Sequence, residues 1–177
     1  MGRACIFTTL ALLIAFAGGC GGEPAPTTAT ARPGISGSSA GAAPTPDQLR
    51  FTARTVDGRD FDGSSLAGKP AVLWFWAPWC PRCQGEAGDV ARLARENGDR
   101  ITFVGVAAQD QVPAMQRFID KYRVEFTHLA DTDASVWRRF GVTVQPAYAF
   151  IDSMGHVDVV KTPLTEGDLT GRVAALT

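Results

Sequence analysis

Two cysteines separated by two residues, Cys80-Pro81-Arg82-Cys83, carry the most reactive chemistry in the chain. The apolar run Ala71-Val72-Leu73-Trp74-Phe75-Trp76 before them reads as a buried strand and the stretch after Cys80 reads as a helix, which places the pair at a strand-to-helix turn. Cysteines three apart in a first helical turn have Cα atoms about 5 to 5.5 Å apart, within disulfide reach, so the pair opens and closes with little backbone movement. The unpaired N–H groups and positive dipole end of the helix stabilise an anion at its start and leave Cys80 partly thiolate near neutrality, with Arg82 adding a positive charge. Such a pair is a reversible two-electron switch. As a structural staple it would be weak, because closing so short a loop removes only about 2 kcal/mol of unfolded-state entropy. As half of a zinc site it would need two further Cys or His ligands, and nothing in the spacing of His128 and His156 makes them converge.

The scaffold around the pair is legible from pattern. Residues 51–56, a turn at Asp57-Gly58 and residues 59–61 read as an N-terminal hairpin. Residues 64–66 form a short turn or helix, and Gly68-Lys69-Pro70 breaks the chain before the central strand. The helix after Cys80 runs to about Asn97, with Val90, Leu93 and Ala94 on its core face, and Asn97-Gly98 ends it. Residues 101–107 form a second continuous apolar strand, buried and parallel to the first. Asp110 caps a helix over 112–122, residues 126–129 form a short strand, and 131–140 form a helix capped by Asp131 or Asp133. A turn at 141–146 leads through Pro146 into a strand ending at Ile151, residues 156–160 form another strand, and Thr165-Glu166-Gly167-Asp168 opens a last helix with Leu169, Val173 and Leu176 on one face. The expected fold class is α/β, a central mixed sheet flanked by helices with the cysteine pair at the carboxyl end of a strand.

Through Lys69-Pro70-Ala71-Val72-Leu73-Trp74-Phe75-Trp76-Ala77-Pro78-Trp79-Cys80 and the Trp79-Cys80-Pro81-Arg82-Cys83 motif, the chain resembles the thioredoxin superfamily, and over its fuller length the extracytoplasmic TlpA/DsbE-like proteins. The DsbF-like secreted or lipoprotein branch of mycobacteria is the nearest in pattern. The resemblance runs from about Leu49 to the C-terminus and implies a thioredoxin-like fold whose N-terminal hairpin extends the sheet and whose helix-strand-helix insertion separates the core strands. It implies that Cys80 is the nucleophile, that Cys83 resolves the mixed disulfide, and that Trp79, Pro81, Arg82 and Gln145 form the docking surface. It implies a cis Pro146 lying against the pair; Gln145 departs from the threonine or valine common before that proline, so partner choice does not carry over. These relatives carry a glutamate at the place of Glu86, whereas the strand position of the thioredoxin acid is Trp74 here. A buried Glu86 carboxylate would have a raised pKa and take the Cys83 proton; the plain alternative is a solvated helical glutamate. Gly88 stands where the family often has a kinking proline, and His128 reads as a core or surface histidine. The resemblance implies no cofactor beyond the redox-active disulfide of Cys80 and Cys83, and no metal.

Residues 6–17 are a short apolar run after Arg3, a secretory signal too short to span a membrane. Ala15-Phe16-Ala17 offers one cleavage site, and Ala17-Gly18-Gly19-Cys20 resembles a bacterial lipoprotein signal with Cys20 as the lipidated residue. The expected organisation is a signal over 1–20, a Gly/Pro/Ala/Thr-rich disordered tether over 21–46 with a reach of roughly 30 Å, and one domain over 47–177. Export leaves Cys80 and Cys83 as the only cysteines of the folded domain, which in an oxidising compartment favours chemistry over scaffolding. Seventeen basic against eighteen acidic residues leave no surplus for nucleic acid. The expectation is an extracytoplasmic monomeric oxidoreductase of the cell envelope, secreted or held to the membrane only through Cys20. It oxidises exported proteins and is recycled by a membrane redox partner. A reductant for cytochrome c maturation would carry the same residues. A peroxidase would need a Pro-x-x-x-Thr/Ser-x-x-Cys pocket that Trp76-Ala77-Pro78-Trp79-Cys80 does not provide, and a Sco-type copper carrier would have CxxxC and a ligand histidine.

Overall fold

The computed structural model describes residues 45–177, so the expected signal, Cys20 and nearly all of the expected tether lie outside the described residues. The chain enters the fold through a 3-10 turn at Asp47–Leu49 and a hairpin of β1 (Thr52–Arg54) and β2 (Asp60–Asp62). After a 3-10 turn at Gly63–Leu66 come β3 (Ala71–Trp76), α1 (Pro81–Asn97), β4 (Thr102–Ala107), α2 (Val112–Tyr122), β5 (Thr127–Ala130), α3 (Ser135–Arg139), β6 (Ala147–Ile151), β7 (Val157–Val160) and α4 (Glu166–Ala174). The main sheet is ordered β5-β4-β3-β6-β7, with β3, β4 and β5 parallel and β6 and β7 antiparallel to their neighbours.

All six residues of β3 are buried because it is the middle strand with both faces covered. The alternation of a strand sorts them into two cores. Val72, Trp74 and Trp76 pack with Val90 and Leu93 of α1, Met115 and Phe118 of α2 and Leu169 of α4. Ala71, Leu73 and Phe75 face Leu49, Leu66 and the α3 residues Val136 and Trp137.

The α2-β5-α3 insertion lies between β4 and β6 as expected, and α1 runs through Gly88 as one helix. Three local expectations are corrected. The hairpin does not extend the main sheet: it is a separate two-stranded sheet, linked by a Thr55–Leu129 bridge and by the Val56 N–H donating to the His128 carbonyl at 2.8 Å. Its inward residues, Ala53 and Phe61, pack with Phe51 on the second core, so its apolar side covers a face rather than lengthening an edge. Gln111, not Asp110, is the N-cap of α2, and the Asp110 carboxylate accepts only the Gln111 N–H. α3 spans five residues, and the buried Asp131 supports it from outside the helix by accepting the N–H groups of Val136 and Trp137 at 3.0 and 2.8 Å. The last helix opens at Thr165 as expected, and the structure adds a capping box between Thr165 and Asp168.

Candidate active site

α1 begins at the carboxyl end of β3, and its first turn is built from the pair itself. Cys80 is the N-cap in extended conformation, and Pro81 occupies the first turn, where its fixed φ fits and its missing N–H is not needed. The Cys83 N–H donates to the Cys80 sulfur at 3.2 Å, so this thiol stands where helices usually place a serine or aspartate oxygen. The Gln84 side chain donates to the Pro78 carbonyl at 3.1 Å and holds the loop beneath. Both cysteines are free thiols; Cys80 keeps 4% of its surface and Cys83 none. Burial first, then the hydrogen bond with Cys80, push the Cys83 thiol far above its ordinary pKa.

The antiparallel register of β3 with β6 brings the second part of the site alongside. Phe75 lies opposite Ala147, so Pro146, the next residue back, sits beside the end of β3, and the Gln145–Pro146 bond is cis. Pro146 is buried and Gln145 half-buried. Arg82, Glu86, Pro146 and Tyr148 line one cleft of 220 Å³, closed on its far side by residues 163–166 before and at the start of α4. Trp79 faces a different hollow with Gln84, Arg117 and Phe118. Its ring is 52% exposed, and its indole N–H donates to the Gln109 carbonyl at 3.1 Å, which fixes a large apolar surface next to Cys80.

Glu86 lies one turn after Cys83 and is half-buried rather than solvated. The Trp74 indole donates to its Oε1 at 2.7 Å. Burial holds the Glu86 carboxyl above the usual carboxylate range; Tyr148, Trp74 and Arg82 draw it down, and Asp89 adds to the rise. Sequence reasoning missed Trp74 as the partner of Glu86, and it missed Tyr148 altogether. Both carried a signal: Trp74 holds the strand position of the thioredoxin acid, and Tyr148 is two residues past Pro146, on the same strand face.

His128 belongs to the core. Trp76 donates from its indole N–H to His128 Nδ1 at 3.2 Å, and Nε2 pairs with the Val124 carbonyl at 2.9 Å, which makes the ring neutral with its proton on Nε2. Burial lowers its pKa to about 4. Gly105 on β4 makes room for the ring, since a Cβ there would overlap His128 Nδ1. Among the described residues no three His, Cys, Asp or Glu side chains converge as a metal site, and no helix is long and apolar enough to cross a membrane.

A family model described as AhpC/TSA matches residues 43–160, more than half of the chain. The chain belongs to the AhpC/TSA family. It is 48% identical over 134 residues to the soluble secreted antigen MPT53 of Mycobacterium tuberculosis, covering 74% of this chain and 77% of that protein. The solved structure of dsbF from MTB is 62% identical with a TM-score of 0.74, covering 76% of this chain and all of that one. A secreted Mycobacterium tuberculosis disulfide oxidoreductase, described as homologous to DsbE of E. coli, is 48% identical with a TM-score of 0.70, covering 73% of this chain and 98% of that one. The fold is thioredoxin-like, and within the AhpC/TSA family this member is a thiol–disulfide oxidoreductase. Ala77, three residues before Cys80, leaves that position without the hydroxyl of a peroxidase pocket.

Proposed function

We propose that this protein is an exported oxidant that forms disulfides in exported proteins through Cys80 and Cys83. The asymmetry of the pair carries the reading: Cys80 keeps 4% of its surface and its sulfur accepts the Cys83 N–H at 3.2 Å, whereas Cys83 is fully enclosed. A partner thiolate attacks Cys80 of the oxidised enzyme, the Cys80–Cys83 bond breaks, and its electron pair leaves on the Cys83 sulfur. Burial makes that thiolate costly, so it takes a proton, and Glu86, one turn away with its carboxyl held toward the protonated form, supplies it. A second partner thiolate then attacks the partner's sulfur in the mixed disulfide and releases Cys80 as a thiolate at the start of α1. Handing two electrons to a membrane redox partner restores the disulfide, and no group beyond the pair is needed. In the reverse direction Glu86 takes the proton as Cys83 attacks.

Trp79, Pro81 and Arg82 are exposed around Cys80, and together with Gln145 and Pro146 they form the docking surface for an extended partner segment. Export of this monomeric enzyme, free or held by a lipid on Cys20, is supported by its apolar N-terminal run and by the relative described as a soluble secreted antigen. Equilibration with glutathione tests the direction. A reduction potential of about −120 to −180 mV supports an oxidant, whereas about −270 mV or lower sinks this reading in favour of a reductant serving cytochrome c maturation. Cys83→Ser is expected to accumulate a mixed disulfide on Cys80 with a thiol partner, and Cys80→Ser to form none; capture through residue 83 instead would reverse the assigned roles.

A further inference from the structure

We infer that Tyr148 is a positioning residue for the proton step, its hydroxyl being the movable donor that receives the ionised Glu86 carboxylate beside the fixed donor Trp74. The inference rests on the reading of Glu86 as the proton partner of Cys83. Tyr148 and Trp74 are directly opposed across the β6–β3 pair, and both lie in the core beneath α1. The Trp74 indole already holds one carboxyl oxygen at 2.7 Å. The Tyr148 side chain is 1% exposed, and its buried hydroxyl makes no hydrogen bond of full geometry among the described residues, although it lies near enough to Glu86 to draw that carboxyl down. A buried hydroxyl left unpaired in a folded core is rare, and this one lies close enough to feel the charges of Glu86 and Cys83.

The chemistry of the two donors differs in a way that suits a group that gains and loses a proton. An indole N–H only donates, so Trp74 serves Glu86 in either state. A phenol both donates and accepts: it donates a hydrogen bond to a carboxylate and accepts one from a carboxylic acid. By closing the remaining gap to Glu86 on ionisation, Tyr148 satisfies its own hydroxyl and the second carboxylate oxygen together. The other groups facing Glu86 are Arg82 and Asp89 on its own helix, Cys83 one turn back, and Glu166 at the start of α4 across the cleft. Asp89 and Glu166 are both drawn to Arg92, at 4.0 and 2.8 Å. The cleft also touches Pro146, so a partner seated on that proline covers it and removes water as a competing donor, which leaves the carboxylate to Tyr148.

The test uses carbon-13 NMR of the labelled Glu86 carboxyl in the reduced protein. It is paired with the pH profile of thionitrobenzoate release from its mixed disulfide with Cys80. Tyr148→Phe is expected to move the Glu86 midpoint upward by about half a pH unit or more, and to slow release about threefold at pH values below the midpoint. Replacing both tyrosines, Tyr122 and Tyr148, by 3-fluorotyrosine keeps the fold, strengthens the donor and is expected to move the midpoint downward. In a Glu86→Gln background, Tyr148→Phe is expected to add nothing. An unmoved Glu86 midpoint in Tyr148→Phe overturns this inference alone, and so does an equal slowing in both backgrounds, which would mark a packing role. A Glu86→Gln profile identical to wild type overturns the reading of Glu86 and this inference with it.

Discussion

Acidification from pH 7 to pH 4 should remove about 3 kcal/mol of stability through His128 alone. The ring is 4% exposed, and its folded pKa of about 4 lies below the ordinary 6.5 because burial penalises the cation. Between those values the unfolded chain takes up a proton that the folded chain refuses. Stability is therefore full above about 6.5, falls as the pH drops, and levels off below about 4. At about 1.36 kcal/mol per pH unit, the separation of roughly 2.5 units gives about 3.4 kcal/mol, a large share of the 5–15 kcal/mol typical of a domain. Glu86 opposes this trend, since its raised carboxyl favours the folded state as the pH falls toward 4.5. Asp57, Asp62, Asp133 and Asp168 have lowered carboxyls, and their contributions are lost only as the pH falls below about 3.8. His128→Gln isolates the effect, because an amide takes either hydrogen bond without titrating. The assay is urea unfolding followed by circular dichroism at half-unit steps from pH 7.5 to 4. The variant should be less stable at neutral pH and should lose less on acidification, the curves converging by about 3 kcal/mol. Parallel curves for wild type and variant, or an NMR midpoint for His128 near 6.5, would refute the reasoning.

Perturbations at three further positions separate local from tertiary effects. Gly88→Ala on α1 meets nothing within 4 Å and removes a flexible residue from a helix interior, so unfolding should show a gain of about 0.5–1 kcal/mol. Gly105→Ala drives a methyl into His128 and Trp76, and denaturation should show a loss of about 1–3 kcal/mol or more, with altered Trp76 fluorescence. Asp131→Ala leaves the buried N–H groups of Val136 and Trp137 without their acceptor, and should cost about 2–4 kcal/mol by urea unfolding, with hydrogen exchange fastest in α3. Asp131→Asn, which keeps acceptor oxygen on the side chain, should recover part of that loss.

The parts of the fold that were legible in the sequence are those whose cause is local. Ala71–Trp76 announces a fully buried strand by its unbroken apolar run, and α1 announces its start by Pro81 and its end by Asn97-Gly98. Thr165 and Asp168 spell out a capping box that the structure contains. The caps of α2 and α3 were read less well. A carboxylate before a helix can accept from several N–H groups, and only the chain path decides which: Asp110 turns to its neighbour, whereas Asp131 reaches five and six residues forward.

Sequence alone placed Cys80 and Cys83 three apart at a strand-to-helix turn, because helical spacing brings such a pair within disulfide reach wherever it occurs. It also named Glu86 and Pro146 as members of the same site, though only through resemblance. The neighbours of those residues were decided by tertiary structure. The β3–β6 register sets Trp74 against Tyr148 and brings Pro146 beside the end of β3, and the seating of α1 on that sheet face puts Glu86 over both rings. Burial then raises the Cys83 thiol and the Glu86 carboxyl. Desolvation depends on how much every neighbouring element covers, which no spacing along the chain records.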